Sequence, residues 1–339
     1  YFPVTETPWG PMGSLICWES YMPLARVALY QKGITIYLSP NTNDNPEWFD
    51  TIRHIAIEGH CYFINCMPLE SLEGKGLFTA SVQYTEPYRN WLVKYCQSWG
   101  NYLSSTESWN KEYEELMMVQ EELGMTNGWY EDPSNWHSFN DFFARRLASP
   151  DQRPIAEPDN EAVIASPCDS EPQGVWAIDE DSYIVTDSKI AVKSRVFNSV
   201  RNLISPESPY CEAFAGGTFY HAFLNVNDYH RYHFPVSGVL KELRVIPGDD
   251  ALGGSITWEP ELQQYVVDCS VPGWQSVETR GLAIVETEEY GLVAVMPIGM
   301  SQVASINFEE NLKVGDRVEK GDMLGYFLFG GSDFVLVFQ

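Results

Sequence analysis

Basic residues are scarce in this chain: 21 lysines and arginines stand against 47 aspartates and glutamates, for a formal charge of -26. Such a surface repels phosphate backbones and anionic lipid headgroups, which argues against nucleic acid as a partner and against charge-driven docking on a membrane. Long apolar runs are missing too. No stretch reaches the ~18 residues that suggest a membrane helix, and no signal peptide is visible. Cysteine is present but unorganised. The seven residues are odd in number and lack CxxC spacing, which fits neither a disulfide framework nor a zinc site and points to a reducing compartment. The expected location is the cytoplasm, at most peripheral to a membrane. The chain begins at Tyr1 without a methionine and stops inside a strand-like run, so both ends read as cut. What is present argues for order: 339 residues, 44% hydrophobic and 14% aromatic, give length for two domains and ample core.

Residues 1 to about 80 alternate strand-like and helix-like patterns, the grammar of an α/β fold. Gly13 to Glu19 reads as a buried strand ending on Cys17, Leu24 to Gln31 as a helix, and Ile34 to Leu38 as another short strand. A cysteine at a strand end, with Glu19 two residues on, is either a nucleophile at a strand-to-helix corner or a buried structural thiol. Composition loosens between Glu70 and Pro87, where the boundary is placed. From Tyr88 to Leu123, Trp91, Leu92, Tyr95 and Trp99, then Trp109, Tyr113 and Leu116, recur at helical spacing as a core-facing stripe. Ser138 caps a further short helix that stops before Pro150.

From Arg153 onward, short β-prone runs separated by Gly, Pro, Asn and Asp predict a mostly antiparallel β domain. Leu324 to Phe329 and Phe334 to Phe338 flank a Gly330-Gly331-Ser332-Asp333 corner, which reads as strand, tight turn and strand. That corner is either plain punctuation or a strained geometry pressing the Ser332 hydroxyl on the Gly331 carbonyl. Asp169 lies in the turn Pro167-Cys168-Asp169-Ser170, where it either caps the turn or serves chemistry. His230 and His233 are two of the chain's six histidines, three residues apart. His-x-x-His without a further ligand at a recognisable spacing does not predict a metal. Together these segments offer the hydroxyl, imidazole and carboxylate that activate a serine.

The strings GSLICWESYMPLARVALYQKGITIYLSP and RHIAIEGHCYFINC resemble the nitrilase family around its nucleophile, over residues 1 to about 66. The resemblance implies that Cys17 is the thiol that attacks a nitrile carbon. The glutamate and lysine that family also needs lie upstream of its cysteine, so the segment reads as a partial, inactive α/β fragment. FNDFFARRL, SPCDS, AFAGGTF, NDYHRYHFPVSG, PIGMSQVASI and KGDMLGYFLFGGSD together resemble the phosphatidylserine decarboxylase family, from about Thr85 to Gln339. That resemblance implies an α+β fold, helical over 85–150 and β-rich over 151–339. It also implies self-cleavage between Gly331 and Ser332, and a pyruvoyl cofactor made from Ser332. His233 is then the base, Asp169 the group that orients it, and His230 the residue that protonates the substrate carbon. Phe234 to Val239 and Val314 to Asp322 also resemble the halves of a biotinyl or lipoyl carrier. No lysine sits at a matching hairpin tip, so only barrel-like packing is expected from them.

The implied substrate is an amine-bearing carboxylic acid, with phosphatidylserine converted to phosphatidylethanolamine as the default reaction. Asp333 stands where the family commonly has threonine, and Val277-Glu278-Thr279-Arg280 where many members have an Asn-Glu-Arg run. These departures keep a soluble, for instance aromatic, amino acid open as the substrate. Homo-oligomers and weak membrane association fit the same reading. The competing classes are a carbon-nitrogen hydrolase using Cys17 and a non-catalytic β-barrel interaction module.

Overall fold

The structure is a computed structural model and describes residues 2–40, 46–66, 88–186, 198–248, 255–259, 264–268, 270, 272–300 and 305–339. The boundary placed between Glu70 and Pro87 lies outside them. Two compact units are present, Tyr1–Trp99 with Ser255–Asp268, and Gly100–Gly254 with Cys269–Gln339.

In the first unit β1 (Val4–Thr7) and β2 (Gly10–Ser14) form a hairpin. They are followed by α1 (Pro23–Tyr30), β3 (Ile36–Pro40), α2 (Pro46–Gly59) and β4 (Tyr62–Cys66). Strands β2, β3 and β4 are parallel neighbours, as the alternating pattern predicts. Pro23 opens α1, where its missing N–H costs no hydrogen bond. The strand expected to run to Cys17 ends at Ser14, and Cys17–Tyr21 is a tight 3-10 turn. Glu19 explains the early stop, because its Oε2 accepts the Ile16 N–H at 2.8 Å and folds the chain back. Helix α3 (Tyr88–Leu103) turns the buried Tyr95 and Trp99 inward, and Trp99 meets Phe2 at 4.8 Å between ring centroids.

The second unit begins with short helices. In α4 (Lys111–Met118) the Asn110 side chain accepts the Tyr113 N–H, and in α5 (Phe139–Phe143) Ser138 accepts that of Asp141. Trp109, Leu123, Met125, Trp136 and Phe142 close a small apolar cluster there. One more short helix, α6 (Val200–Ile204), lies among the strands. The strands are β5 (Glu171–Ala177), β6 (Thr218–Leu224), β7 (Arg231–His233), β8 (Gly238–Ile246), β9 (Ser255–Glu259) and β10 (Gln264–Asp268). They continue with β11 (Thr279–Glu286), β12 (Leu292–Met300), β13 (Ile306–Phe308), β14 (Arg317–Val318), β15 (Met323–Phe327) and β16 (Gly331–Phe338). Strands β9 and β10 form a two-stranded ribbon grouped with the first unit.

Seven strands form one sheet in the order β14-β8-β11-β12-β16-β6-β5, with every pairing antiparallel. Three more form the antiparallel sheet β13-β15-β7. The expected barrel-like packing is not found. The large sheet is open, with β14 and β5 as its ends, and no barrel closes among the described residues. The two carrier-like stretches do meet, Val318 opposite Gly238 and Arg317 opposite Val239, but as a two-residue edge. One face of the large sheet carries Phe219, Leu282, Ile284, Val335 and Val337 into a core with Trp274 and Phe214.

The expected hairpin is not found either. Strand β15 belongs to the small sheet and β16 to the large one, so the Gly-rich corner passes the chain between sheets. Turn chemistry sets where a chain bends, while the partner of each strand is decided by distant segments.

Candidate active site

Ser332 is the second residue of β16, opposite Leu224 of β6 and Gly299 of β12. The Gly331–Ser332 link therefore lies within the ladder of a central strand, not in a turn. Ser332 is 1% exposed, and its Oγ has no hydrogen-bond partner among the described residues. A buried hydroxyl left without a partner costs about 1–3 kcal/mol. Alternation along the strand puts Ser332 on the same face as Phe334, whose ring lies 5.8 Å from that of Tyr232. The approach to the strand is held by Asn140 of α5, whose Oδ1 accepts the Phe329 N–H at 3.1 Å. The Phe329 ring packs edge-on against Phe139 and Phe143, each at 5.3 Å.

His230 precedes β7 and is fully buried, its ring stacked on Phe143 at 3.9 Å. Its Nδ1 lies 2.8 Å from the Asp228 carbonyl. A carbonyl only accepts, so Nδ1 carries the proton and Nε2 is a bare lone pair. That Nε2 has no partner. Burial, reinforced by the charge of Arg145, pulls the pKa of His230 down to about 3, so the ring is neutral.

His233, at the end of β7, has the same tautomer. Its Nδ1 meets the Gly321 carbonyl at 2.9 Å, which leaves Nε2 to accept the Tyr229 hydroxyl at 3.4 Å. Burial lowers its pKa, while the Gly321 carbonyl and the charge of Asp169 act against that. Asp169 gives its oxygens to Arg153 rather than to His233, at 2.8 Å from Nε and 2.6 Å from Nη2. It reaches His233 through its field. Neither histidine is hydrogen-bonded to Ser332.

Several site residues escaped the sequence reading. Arg145 lies in the FNDFFARRL string, but nothing there separates it from Arg146; burial does, since its side chain is 0% exposed. Tyr229, beside His230 in the sequence, is set apart only by the hydrogen bond it gives to His233. Asp333, read only as a departure from the family, is fully buried on the opposite face of β16 from Ser332. There it meets His221 of β6, Oδ1 to Nε2 at 2.6 Å, and its Oδ2 lies 3.3 Å from Gln275 Nε2. Burial raises the pKa of Asp333, with His221 opposing it.

Cys17 opens the 3-10 turn of the first unit, and its side chain lies outside the described residues. Glu19 is buried, accepts the Tyr95 hydroxyl at 3.0 Å on Oε2 and leaves Oε1 unpartnered. Burial pushes its pKa from 4.5 up to about 7. The folded unit thus holds this proton more tightly than the unfolded chain. The resulting stabilisation is complete below pH 4.5 and is lost as pH rises through 7, a span worth roughly 3 kcal/mol. Glu19→Gln should remove this slope and make the first unit more stable than the parent at pH 8. Denaturant unfolding followed through the buried Trp48 at several pH values checks it.

Residues 1–94 match the family model of the carbon-nitrogen hydrolases. An aliphatic nitrilase of Sinorhizobium fredii is 53% identical over 60 residues there, 18% of this chain and 20% of the nitrilase. An L-tryptophan decarboxylase of Psilocybe cubensis is 29% identical, over 59% of this chain and 46% of its own length. A phosphatidylserine decarboxylase proenzyme of Fusobacterium nucleatum is 32% identical over 73% of this chain and 74% of the proenzyme. Two further relatives are covered over 58% and 35% of their lengths. Residues 139–339, which hold Ser332, both histidines and Asp169, match the phosphatidylserine decarboxylase family model, and the chain belongs to that family.

Proposed function

We propose that the protein is a pyruvoyl-dependent decarboxylase that makes its own prosthetic group by breaking the chain between Gly331 and Ser332. The observation that carries this reading is the buried, partnerless Ser332 hydroxyl beside a main-chain carbonyl that precedes it in a held strand. In the first step Ser332 Oγ bonds to the Gly331 carbonyl carbon as the C–N bond to Ser332 breaks, leaving an ester and a free amine. Loss of the Ser332 α-proton then expels the Gly331 carboxylate and leaves a carbon-carbon double bond at residue 332. Water displaces the nitrogen as ammonia and leaves a ketone. That ketone supplies an electron sink for the bond to the departing carboxylate.

The chain's own residues handle the protons. His233 takes the Ser332 hydroxyl proton, supported by the field of Asp169 and with Tyr229 occupying its Nε2 until the serine replaces it. His230, whose Nε2 is bare in the uncut chain, takes up a proton before it can deliver one to the substrate carbon.

The substrate is an amine-bearing carboxylic acid, with phosphatidylserine to phosphatidylethanolamine as the leading reaction. An amino acid is the second reading, favoured by the likeness to an L-tryptophan decarboxylase and by a charge of -26 that opposes an anionic lipid surface. Purified protein should show a break before residue 332 and a carbonyl-reagent adduct on the new amino terminus. Carbon dioxide release from phosphatidylserine vesicles and from tryptophan then separates the substrates. A protein that stays whole and forms no adduct overturns the reading.

A further inference from the structure

Arg145 is a buried guanidinium that has no carboxylate among its hydrogen-bond partners in the described residues. It follows α5, with its side chain 0% exposed and its Cζ 4.3 Å from the centre of the Tyr130 ring. Its Nη2 lies 3.1 Å from the Asn227 carbonyl, 3.2 Å from that of Asp228 and 3.4 Å from the Tyr130 hydroxyl. Its Nε has no partner. Removing a cation from water is costly, and carbonyls with a ring face offset that only in part. An apolar side chain would fill the same space at lower cost. The two carbonyls lie in the loop that delivers His230, and the Asp228 carbonyl is the one that fixes the His230 ring.

We infer that Arg145 is a positioning residue for His230: it shares the Asp228 carbonyl with the imidazole and so holds the ring in the Nδ1–H form, leaving Nε2 as a bare acceptor. A carbonyl oxygen has two lone pairs, one for each donor. With the guanidinium on one of them, the oxygen cannot swing toward solvent, and the imidazole keeps its orientation. The positive charge, lying on the Nδ1 side, also opposes protonation of the ring, in the same direction as burial. The other groups against His230 are the uncharged rings of Phe143 and Phe327, so among the described residues Arg145 is the charged group that acts on it.

The tautomer is independent of the reaction proposed above; its effect on catalysis rests on that reading. The uncut Ser332→Ala chain, labelled with nitrogen-15 in histidine and with His230 assigned through His230→Gln, reports both. NMR should show a single neutral Nδ1–H form from about pH 5 to about pH 8. In the Arg145→Gln chain both tautomers should appear, and protonation should set in at a tenfold lower proton concentration or less. Arg145→Lys keeps the charge without the planar fork, so it should keep the ring neutral yet mix the tautomers. In chains with Ser332 intact, the alkaline limb of the decarboxylation pH profile should move to higher pH with Arg145→Gln, because His230 must carry a proton to deliver it. If either variant is folded and shows the parent tautomer and titration, the inference fails. If the tautomers shift as stated but the parent never breaks before residue 332, the proposed function fails and the inference stands.

Discussion

Ser332→Ala should leave the protein as one 38.5 kDa species, with no break before residue 332 and no decarboxylation. In the proposed reaction Ser332 supplies both the attacking oxygen and the atoms of the prosthetic group, so a nearby residue cannot replace it. The loss of cleavage should reach about 10³-fold or more. His233→Ala should slow the same break by roughly 10²- to 10⁴-fold without abolishing it, because general-base assistance contributes a factor of that size. Intact mass followed over time reads both. A His233→Ala chain that matures at the parent rate would move the base assignment elsewhere, and His230, with a bare Nε2 in the same buried neighbourhood, would be the next residue to replace.

Asp333→Ala should destabilise the second unit by about 3 kcal/mol or more, the cost of removing one member of a buried hydrogen-bonded pair and stranding the other. His221 would be left fully buried with neither ring nitrogen satisfied, because its Nδ1 is already without a partner. The measurement belongs in the Ser332→Ala background, where no chain break confuses the unfolding midpoint. Replacing both partners, Asp333→Val with His221→Phe, should recover most of the loss, since an apolar pair of similar volume suits the surrounding core of Trp274, Phe219 and Val335. A single variant that unfolds at the parent midpoint would mean the pair is worth nothing to the fold.

Much of the architecture was legible along the chain. The strand and helix runs of the first 66 residues give a parallel sheet because each element is encoded by local periodicity. Ser138 caps its helix as the residue type predicts. The unbroken apolar run Phe334 to Leu336 is buried on both faces, as a central strand requires. Less legible were the pairings. Two β-prone runs around Gly330 suggest a hairpin, yet β15 and β16 enter different sheets, because strand partners are set over long separations. The two carrier-like stretches likewise meet without closing a barrel.

The residue types of the candidate site, a serine after two glycines, two histidines three apart and a carboxylate, are properties of the sequence alone, as are the charge and the family strings. Only the tertiary structure decided their chemical states. Burial strips water from His230 and Asp333, and Arg153, 16 residues upstream, takes the oxygens of Asp169. The Asp228 and Gly321 carbonyls choose the tautomers of the two histidines. Protonation and hydrogen bonding depend on which groups are brought together and how little solvent remains between them, and that is settled by packing rather than by the order of residues.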